Sequence, residues 1–210
     1  MNNLNLLDAT EKFGSPLYVY DSDKIKRQYN KLKNSFSSVK SLQINYAVKA
    51  LSNISILKFI INLGSGIDAV SIQEVELALK CGVKPDKIIY TPNGVSMDEI
   101  KKASELGVKI NIDNLSVLEE FGNNNPSIPI CVRINPHIMA GGNSKISVGH
   151  IDSKFGISIH QIPHLVRIVN NTKIKVNGIH MHTGSDILDI DVFLRASEII
   201  TADKVSEEYC

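Results

Sequence analysis

Strand-like runs recur along this chain at short, nearly constant intervals. Five of them follow one another at spacings of 24, 21, 22 and 20 residues, and a sixth comes after a longer gap. They begin near Gln43, Ile67, Ile88, Ile110, Ile130 and Val176. Amphipathic helical patterns fill the intervals between the first five, and capping boxes open two of these helices, at Ser71–Glu74 and Ser96–Glu99. Strands that alternate with helices at this period need right-handed crossovers and a parallel sheet, either a barrel or an open doubly wound sheet.

The alternation within each strand favours the barrel. One face is aliphatic and suits an outer layer of helices, whereas the other is small and becomes polar toward the carboxyl end of the strand. The polar residues at these ends are Lys49, Asp68, Asp113, Arg133 and His182. A TIM barrel keeps its chemistry at that end of its strands, so these side chains should converge on one site.

The predicted fold is therefore an α/β, incomplete TIM (β/α)8-type barrel with about six βα units. A complete barrel has eight units and typically about 250 residues. This chain of 210 residues ends inside the helix after the sixth strand, which suggests an N-terminal fragment. The interval 136–159 has no clear periodicity and leaves the active end of the fifth strand, which indicates a functional loop.

Two segments are expected within this fragment. Residues 1–36 should form an N-terminal strand at Leu17–Tyr20 and a helix from about Ser22 to Phe36, capped by Asp21. Residues 37–210 should form the truncated barrel.

Composition excludes several classes of function. A net charge of +1 without a cluster of basic residues offers little attraction to nucleic acid or to anionic membranes. The polar start and the lack of a long apolar window predict a cytoplasmic protein. Three widely spaced cysteines, Cys81, Cys131 and Cys210, suggest neither a disulfide framework nor a zinc site.

Lys49 ends an otherwise uncharged strand-like segment and allows two interpretations. Lysine is strongly hydrated, but its pKa falls readily when it is desolvated, which suits it to Schiff-base chemistry. If the strand is buried on both faces, this lysine cannot be an ordinary surface residue. The alternative is a lysine at a frayed strand end whose amine reaches water.

Five ordered motifs resemble the fold-type III pyridoxal-phosphate decarboxylases, and their combination is most similar to the diaminopimelate-specific members. They are Tyr46–Ala50, Asp68–Ser71 with Glu74, Arg133–Pro136, Ser153–Ile157 and Gly178–Ser185. The resemblance runs from about Ser15 to Ile200. It implies pyridoxal 5'-phosphate as the cofactor and Lys49 as the catalytic lysine that binds the cofactor's aldehyde.

The same resemblance implies the other cofactor-binding residues. His182 would lie against the face of the cofactor ring, and Ser185 and the backbone at Gly184 would contact its phosphate. Asp68 and Arg133 match positions beside the cofactor. Lys154 matches a lysine near the subunit interface of related enzymes and is given no chemistry.

The implied reaction is decarboxylation of meso-2,6-diaminopimelate to L-lysine, the last step of lysine biosynthesis. Relatives of this kind are homodimers. The resemblance also implies that the barrel of residues 37–210 binds pyridoxal phosphate and that the N-terminal strand belongs to a C-terminal β domain outside this chain. Their glycine-rich phosphate loop, the glutamate that pairs with the pyridinium nitrogen and the cysteine proton donor would all follow Cys210. The polypeptide alone is therefore expected to have little or no activity.

Other interpretations remain open on the sequence. His180 and His182 could begin a metal site, although further ligands are missing. Asp113 could cap the helix from Asn114, and Arg133 could pair with Asp68 as a buried ion pair. The chain could also be a single-domain, non-enzymatic protein of pyridoxal-phosphate homeostasis, or another fold-type III amino-acid decarboxylase.

Overall fold

The computed structural model describes residues 5–138, 155–184 and 187–201 and contains a parallel sheet of seven strands with helices between them. The strands are β1 (Asn45–Ala47), β2 (Gly66–Ala69), β3 (Ile88–Tyr90), β4 (Lys109–Ile112), β5 (Ile130–Asn135), β6 (Ile157–Ser158) and β7 (Val176–Met181). The helices are α1 (Leu6–Phe13), α2 (Ser22–Ser35), α3 (Ile54–Asn62), α4 (Ile72–Lys80), α5 (Met97–Glu105), α6 (Leu115–Asn124), α7 (Ile162–Thr172) and α8 (Ile190–Thr201).

The strands follow one another around an arc. Each strand from β1 to β5 pairs in parallel with the next, and β5 pairs with both β6 and β7. The pairing with β7 extends from Ile130 to Ile134, whereas β6 meets only Ile134 and Asn135. No pairing joins β1 to β7 within the described ranges, so the arc stays open. The predicted parallel α/β architecture is confirmed.

An apolar core separates the arc from its outer helices. Each strand from β2 to β5 contributes an isoleucine that is at most 1% exposed. These residues are Ile67, Ile88, Ile110 and Ile130. They pack in one cluster with helix residues that include Val75, Ala103, Leu118 and Phe121. Burying one such aliphatic side chain contributes about 1.5–3 kcal/mol, so this layer holds each strand against its helix.

Side-chain caps begin four of the outer helices close to the carboxyl ends of the strands. Ser71 and Ser96 accept hydrogen bonds from the backbone N–H groups of Glu74 and Glu99, as the capping-box pattern predicts. The Glu74 carboxylate accepts from the N–H of Val70 at 2.8 Å, one residue before the cap. Asn53 and Asn114 cap α3 and α6 in the same way. The caps thus fix where each chain segment turns at the site end of the sheet.

The structure has seven strands where about six βα units were predicted, and the additional strand is short. The interval 136–159 contains β6, which is two residues long, and a single 3-10 turn at Ile159–Gln161 that leads into α7. A strand of two residues is too short to show any alternation, which is why the sequence pattern did not reveal it. The predicted sixth strand, at Val176, is β7.

The segment predicted as an N-terminal strand has no strand beside it in the described structure. Residues 17–20 are not assigned to a strand, and Tyr18 is 85% exposed. Since the predicted partner belongs to a C-terminal β domain outside this chain, this strand stays a prediction. The helix that follows is confirmed, since α2 begins at Ser22 and the Asp21 carboxylate accepts from the Lys24 N–H at 2.9 Å. In the described ranges, every helix is too short or too polar to cross a membrane.

Candidate functional site

The predicted site residues that the structure describes lie in or just after the carboxyl-terminal halves of their strands. Lys49 follows β1 directly, in a single turn of 3-10 helix at Val48–Ala50, and its side chain is exposed. The condition that this strand is buried on both faces is therefore not met. β1 is an edge of the arc and has a partner on one side only in the described structure. The amine is close enough for its charge to oppose the burial-raised pKa of Asp68 and to add to the lowering of the pKa of His182.

A chain of three hydrogen-bonded side chains crosses the inner face from β2 to β4. Thr91 donates to the Asp68 carboxylate at 2.9 Å, and the Asn111 amide donates to the Thr91 hydroxyl at 2.9 Å. Thr91 and Asn111 are buried, at 7% and 2% exposure. Burial raises the pKa of Asp68, and the hydrogen bond from Thr91 and the charges of Lys49 and Arg133 oppose that rise. These contacts hold the carboxylate at one position in the site.

Arg133 supplies a buried positive charge on β5. Its side chain is 7% exposed, and burial lowers the pKa of its guanidinium while Asp113 and Asp68 act in the opposite direction. The guanidinium carbon lies 5.0 Å from the centre of the Phe155 ring, which is within cation–π range. The sequence suggested a partnership between Arg133 and Asp68. In the structure, the negative charges of Asp68 and Asp113 both favour the charged form of Arg133.

Phe155 is placed over Arg133 by a close approach of the backbone. Gly156 has a φ of +82°, and a Cβ at this position would lie 3.0 Å from the backbone N of Asn135 and 3.1 Å from the carbonyl carbon of Ile134. Only glycine combines that left-handed conformation with so short a distance to β5. The Phe-Gly pair of the motif at 153–157 therefore presents an aromatic face to the buried cation.

Two histidines face the site: His180 lies in β7, and His182 is the residue directly after this strand. His180 lies opposite Arg133 in the strand register, and His182 follows two residues later on the same face. Burial lowers the pKa of both imidazoles, and the positive charge of Arg133 lowers both further. The charge of Lys49 also lowers the pKa of His182. The pKa of His180 falls to about 4. Both rings are therefore neutral near pH 7.

The remaining predicted positions have mixed outcomes. Gly184 is described, with a φ of +135°, but Ser185 and Lys154 lie outside the described residues. Asp113 is not the cap of α6, since Asn114 takes that role and Asp113 accepts from the Asn93 amide at 2.7 Å. In the part of the chain that the structure describes, no group of three metal-binding side chains occurs.

Sequence reasoning missed three contributors to the site. Thr91 and Asn111 connect Asp68 to β4, and Phe155 covers Arg133. The period-two alternation of β4 did place Asn111 on the inner face. For Thr91 and Phe155 the sequence offered no comparable sign, because their roles depend on contacts with residues more than 20 positions away.

Acidification should destabilise the protein through His180. Its folded pKa is about 4 and an unperturbed histidine has a pKa of about 6.5, so the unfolded chain binds the extra proton first as the pH falls. The stabilising contribution is full above pH 6.5 and is lost as the pH falls toward 4, a loss of about 3 kcal/mol. The pKa of Asp68 is raised in the folded state, so protonation of its carboxyl group favours folding as the pH falls and partly offsets this loss. Urea unfolding at several pH values should show the difference between wild type and His180→Phe changing across this window, and parallel curves would contradict the assignment.

Comparisons with known proteins agree on one family. The profile described as pyridoxal-dependent decarboxylase, pyridoxal binding domain, matches residues 22–207. Diaminopimelate decarboxylase of Methanothermobacter thermautotrophicus is 37% identical over 196 residues, which are 92% of this chain and 46% of that protein. The Campylobacter jejuni enzyme of the same name is also 37% identical, over 90% of this chain and 48% of its own length. The chain spans about half the length of the curated relatives it matches.

Solved structures give the same result for the fold. Diaminopimelate decarboxylase from Helicobacter pylori, complexed with L-lysine, matches with a TM-score of 0.83 and 31% identity, over 98% of this chain and 54% of that one. The enzyme from M. jannaschii, in co-complex with L-lysine, matches with a TM-score of 0.83 and 27% identity, over 97% and 50% of the two chains. The predicted barrel class is thereby confirmed.

Proposed function

Because the chain belongs to the pyridoxal-dependent decarboxylases through their pyridoxal-binding domain, we propose that the protein decarboxylates meso-diaminopimelate to L-lysine with pyridoxal phosphate. The observation that carries this proposal is the placement of Lys49, Asp68, Arg133 and His182 toward the carboxyl ends of β1, β2, β5 and β7, which parallel pairing brings to one end of the sheet. The diaminopimelate decarboxylases among the relatives support the substrate. On the family resemblance alone, we further propose a cytoplasmic homodimer.

The residues present fit the cofactor. An exposed primary amine at Lys49 can reach an aldehyde, and the half-buried, neutral imidazole of His182 offers a face for a flat ring. On the inner face, Arg133 provides a fixed positive charge and Asp68 provides a fixed negative charge. A buried polar atom without a partner in the described structure, Nδ1 of His180, is a further sign of a site that receives a polar molecule.

Each residue has a task that its surroundings permit. Bound pyridoxal phosphate supplies an electron sink for the charge that remains when the carboxylate departs. Lys49 would hold the cofactor through its amine, and its exposure at the end of β1 leaves that amine accessible to an incoming substrate. Asp68 is held by Thr91, so its charge stays near the amine instead of turning to water. Phe155 keeps water from one face of the Arg133 guanidinium.

A substrate panel tests the proposed function. The chain is tested in a full-length context, with the C-terminal segments that the family resemblance places after Cys210. It is supplied with pyridoxal phosphate and, separately, with meso-diaminopimelate, L-ornithine, L-arginine and L-lysine, and CO2 and amine products are measured. We expect CO2 release only from diaminopimelate, with L-lysine as the product. Preferential release from another amino acid would replace the proposed substrate, and cofactor binding without CO2 from any of them would favour a non-enzymatic pyridoxal-phosphate protein.

A further inference from the structure

His180 is the one histidine of the site whose position is fixed by strand pairing. It lies on β7 directly opposite Arg133 on β5, and the two side chains share the inner face. Asn111 of β4 is the register partner of Cys131 of β5. Two residues further along each chain segment, Asp113 is therefore level with Arg133. One layer of the inner face therefore contains an anion, a cation and an imidazole.

The Nδ1 atom of His180 is buried and has no hydrogen-bond partner in the described part of the chain. A buried polar atom without a partner costs about 1–3 kcal/mol, so native proteins rarely leave one without a purpose. The side chain as a whole is only half-buried. Its ring therefore borders accessible space as well as the packed interior.

The charges around this imidazole favour its neutral form. Arg133 is its register partner, His182 lies two residues away, and both disfavour a second positive charge at this position. Asp68, Asp113 and Lys49 are the other charged groups that face the layer, and all three act on Arg133 or on His182. A neutral imidazole has one donor and one acceptor nitrogen, so Nδ1 can complete a hydrogen bond without carrying charge.

We infer that His180 is a further binding residue of this site, whose Nδ1 forms a hydrogen bond with bound pyridoxal phosphate, directly or through one water. The inference rests on the proposed function for the identity of the ligand. It adds a position that the motif resemblance did not assign, two residues before His182. The unmet hydrogen bond is completed only when the site is loaded, so it contributes to affinity.

Three substitutions separate a hydrogen bond at Nδ1 from the shape of the ring. Asparagine places an amide near the position of Nδ1, glutamine places one near Nε2, and phenylalanine keeps a ring without either nitrogen. The dissociation constant for pyridoxal phosphate is measured by equilibrium dialysis on the purified protein. We expect His180→Asn to bind within about twofold of wild type, and His180→Gln and His180→Phe to bind about tenfold more weakly, the loss of one hydrogen bond.

A second readout follows the atom itself. The ¹⁵N chemical shift of His180 Nδ1 should change when pyridoxal phosphate is added, and thermal melts confirm that each variant folds. Equal binding by all four proteins, or equal weakening by all three variants, would overturn the inference while leaving the proposed function intact. Failure of wild type itself to bind pyridoxal phosphate would instead overturn the proposed function. If the phenylalanine variant does not fold, the asparagine and glutamine variants still decide the question.

Discussion

Replacing Lys49 by alanine should abolish covalent capture of pyridoxal phosphate and, in the full-length context, lower decarboxylation by at least about a thousandfold. Lys49 is the only lysine whose charge acts on both Asp68 and His182 in the described structure. The protein is incubated with pyridoxal phosphate, reduced with borohydride and digested, and the pyridoxyl group is located by mass spectrometry. We expect the label on the Lys49 peptide of wild type and no label at this position in the variant.

Two further variants separate the amine from its charge. Lys49→Arg keeps a positive charge near Asp68 and His182 but lacks a primary amine, so it should fail in the same assays. Lys58→Ala removes an exposed lysine on α3 and should behave as wild type. Labelling of another lysine in wild type, or activity in the arginine variant, would remove Lys49 from its proposed role.

Replacing Arg133 by methionine should destabilise the protein by about 3 kcal/mol at pH 7. The substitution removes the buried cation that both Asp68 and Asp113 face, and leaves their carboxylates without it. The same change should raise the pKa of His180 and of His182, since the charge of Arg133 lowers both. Urea unfolding measures the stability, and NMR titration of the imidazole resonances measures the pKa values.

The stability loss should be partly reversed in the double variant Arg133→Met with Asp68→Asn, because one of the unpaired carboxylates is then gone. Arg167→Met is the matched control. Arg167 is exposed on α7 and contacts only His164 among the hydrogen bonds described for it, so its loss should change stability by no more than about 0.5 kcal/mol. Equal effects of the two single variants, or imidazole pKa values that do not move, would show that Arg133 is not the charge centre of the site.

Much of the site was accessible from the sequence because strand residues alternate between two faces. Once the strands were located, Asp68, Arg133 and His182 had to share the inner face, and parallel pairing had to bring their carboxyl ends together. In the structure, Asp68 lies in β2, Arg133 in β5 opposite His180 of β7, and His182 directly after β7. The individual roles of these residues toward a cofactor remain predictions.

What the sequence did not provide depends on neighbours across the sheet. Thr91 connects to Asp68 and to Asn111 because β3 lies between β2 and β4, and the identity of these partners follows from register. The exposure of Lys49 reflects the place of β1 at the edge of the arc. Asn114 displaces Asp113 as the helix cap because Asp113 is held by the Asn93 amide, a contact between two different loops.

The pairing of β6 with the last residues of β5 brings two distant points of the chain together. Asn135 is in register with Ser158, and the rings of His137 and His160 meet edge to face with their centres 5.2 Å apart. Strand pairing and the ring contact therefore hold both ends of this interval beside the end of β5. The entropy of closing a flexible loop changes by only about 0.6 kcal/mol for each doubling of its length. We therefore expect the stability of the sheet to depend little on the number of residues between these two anchor points.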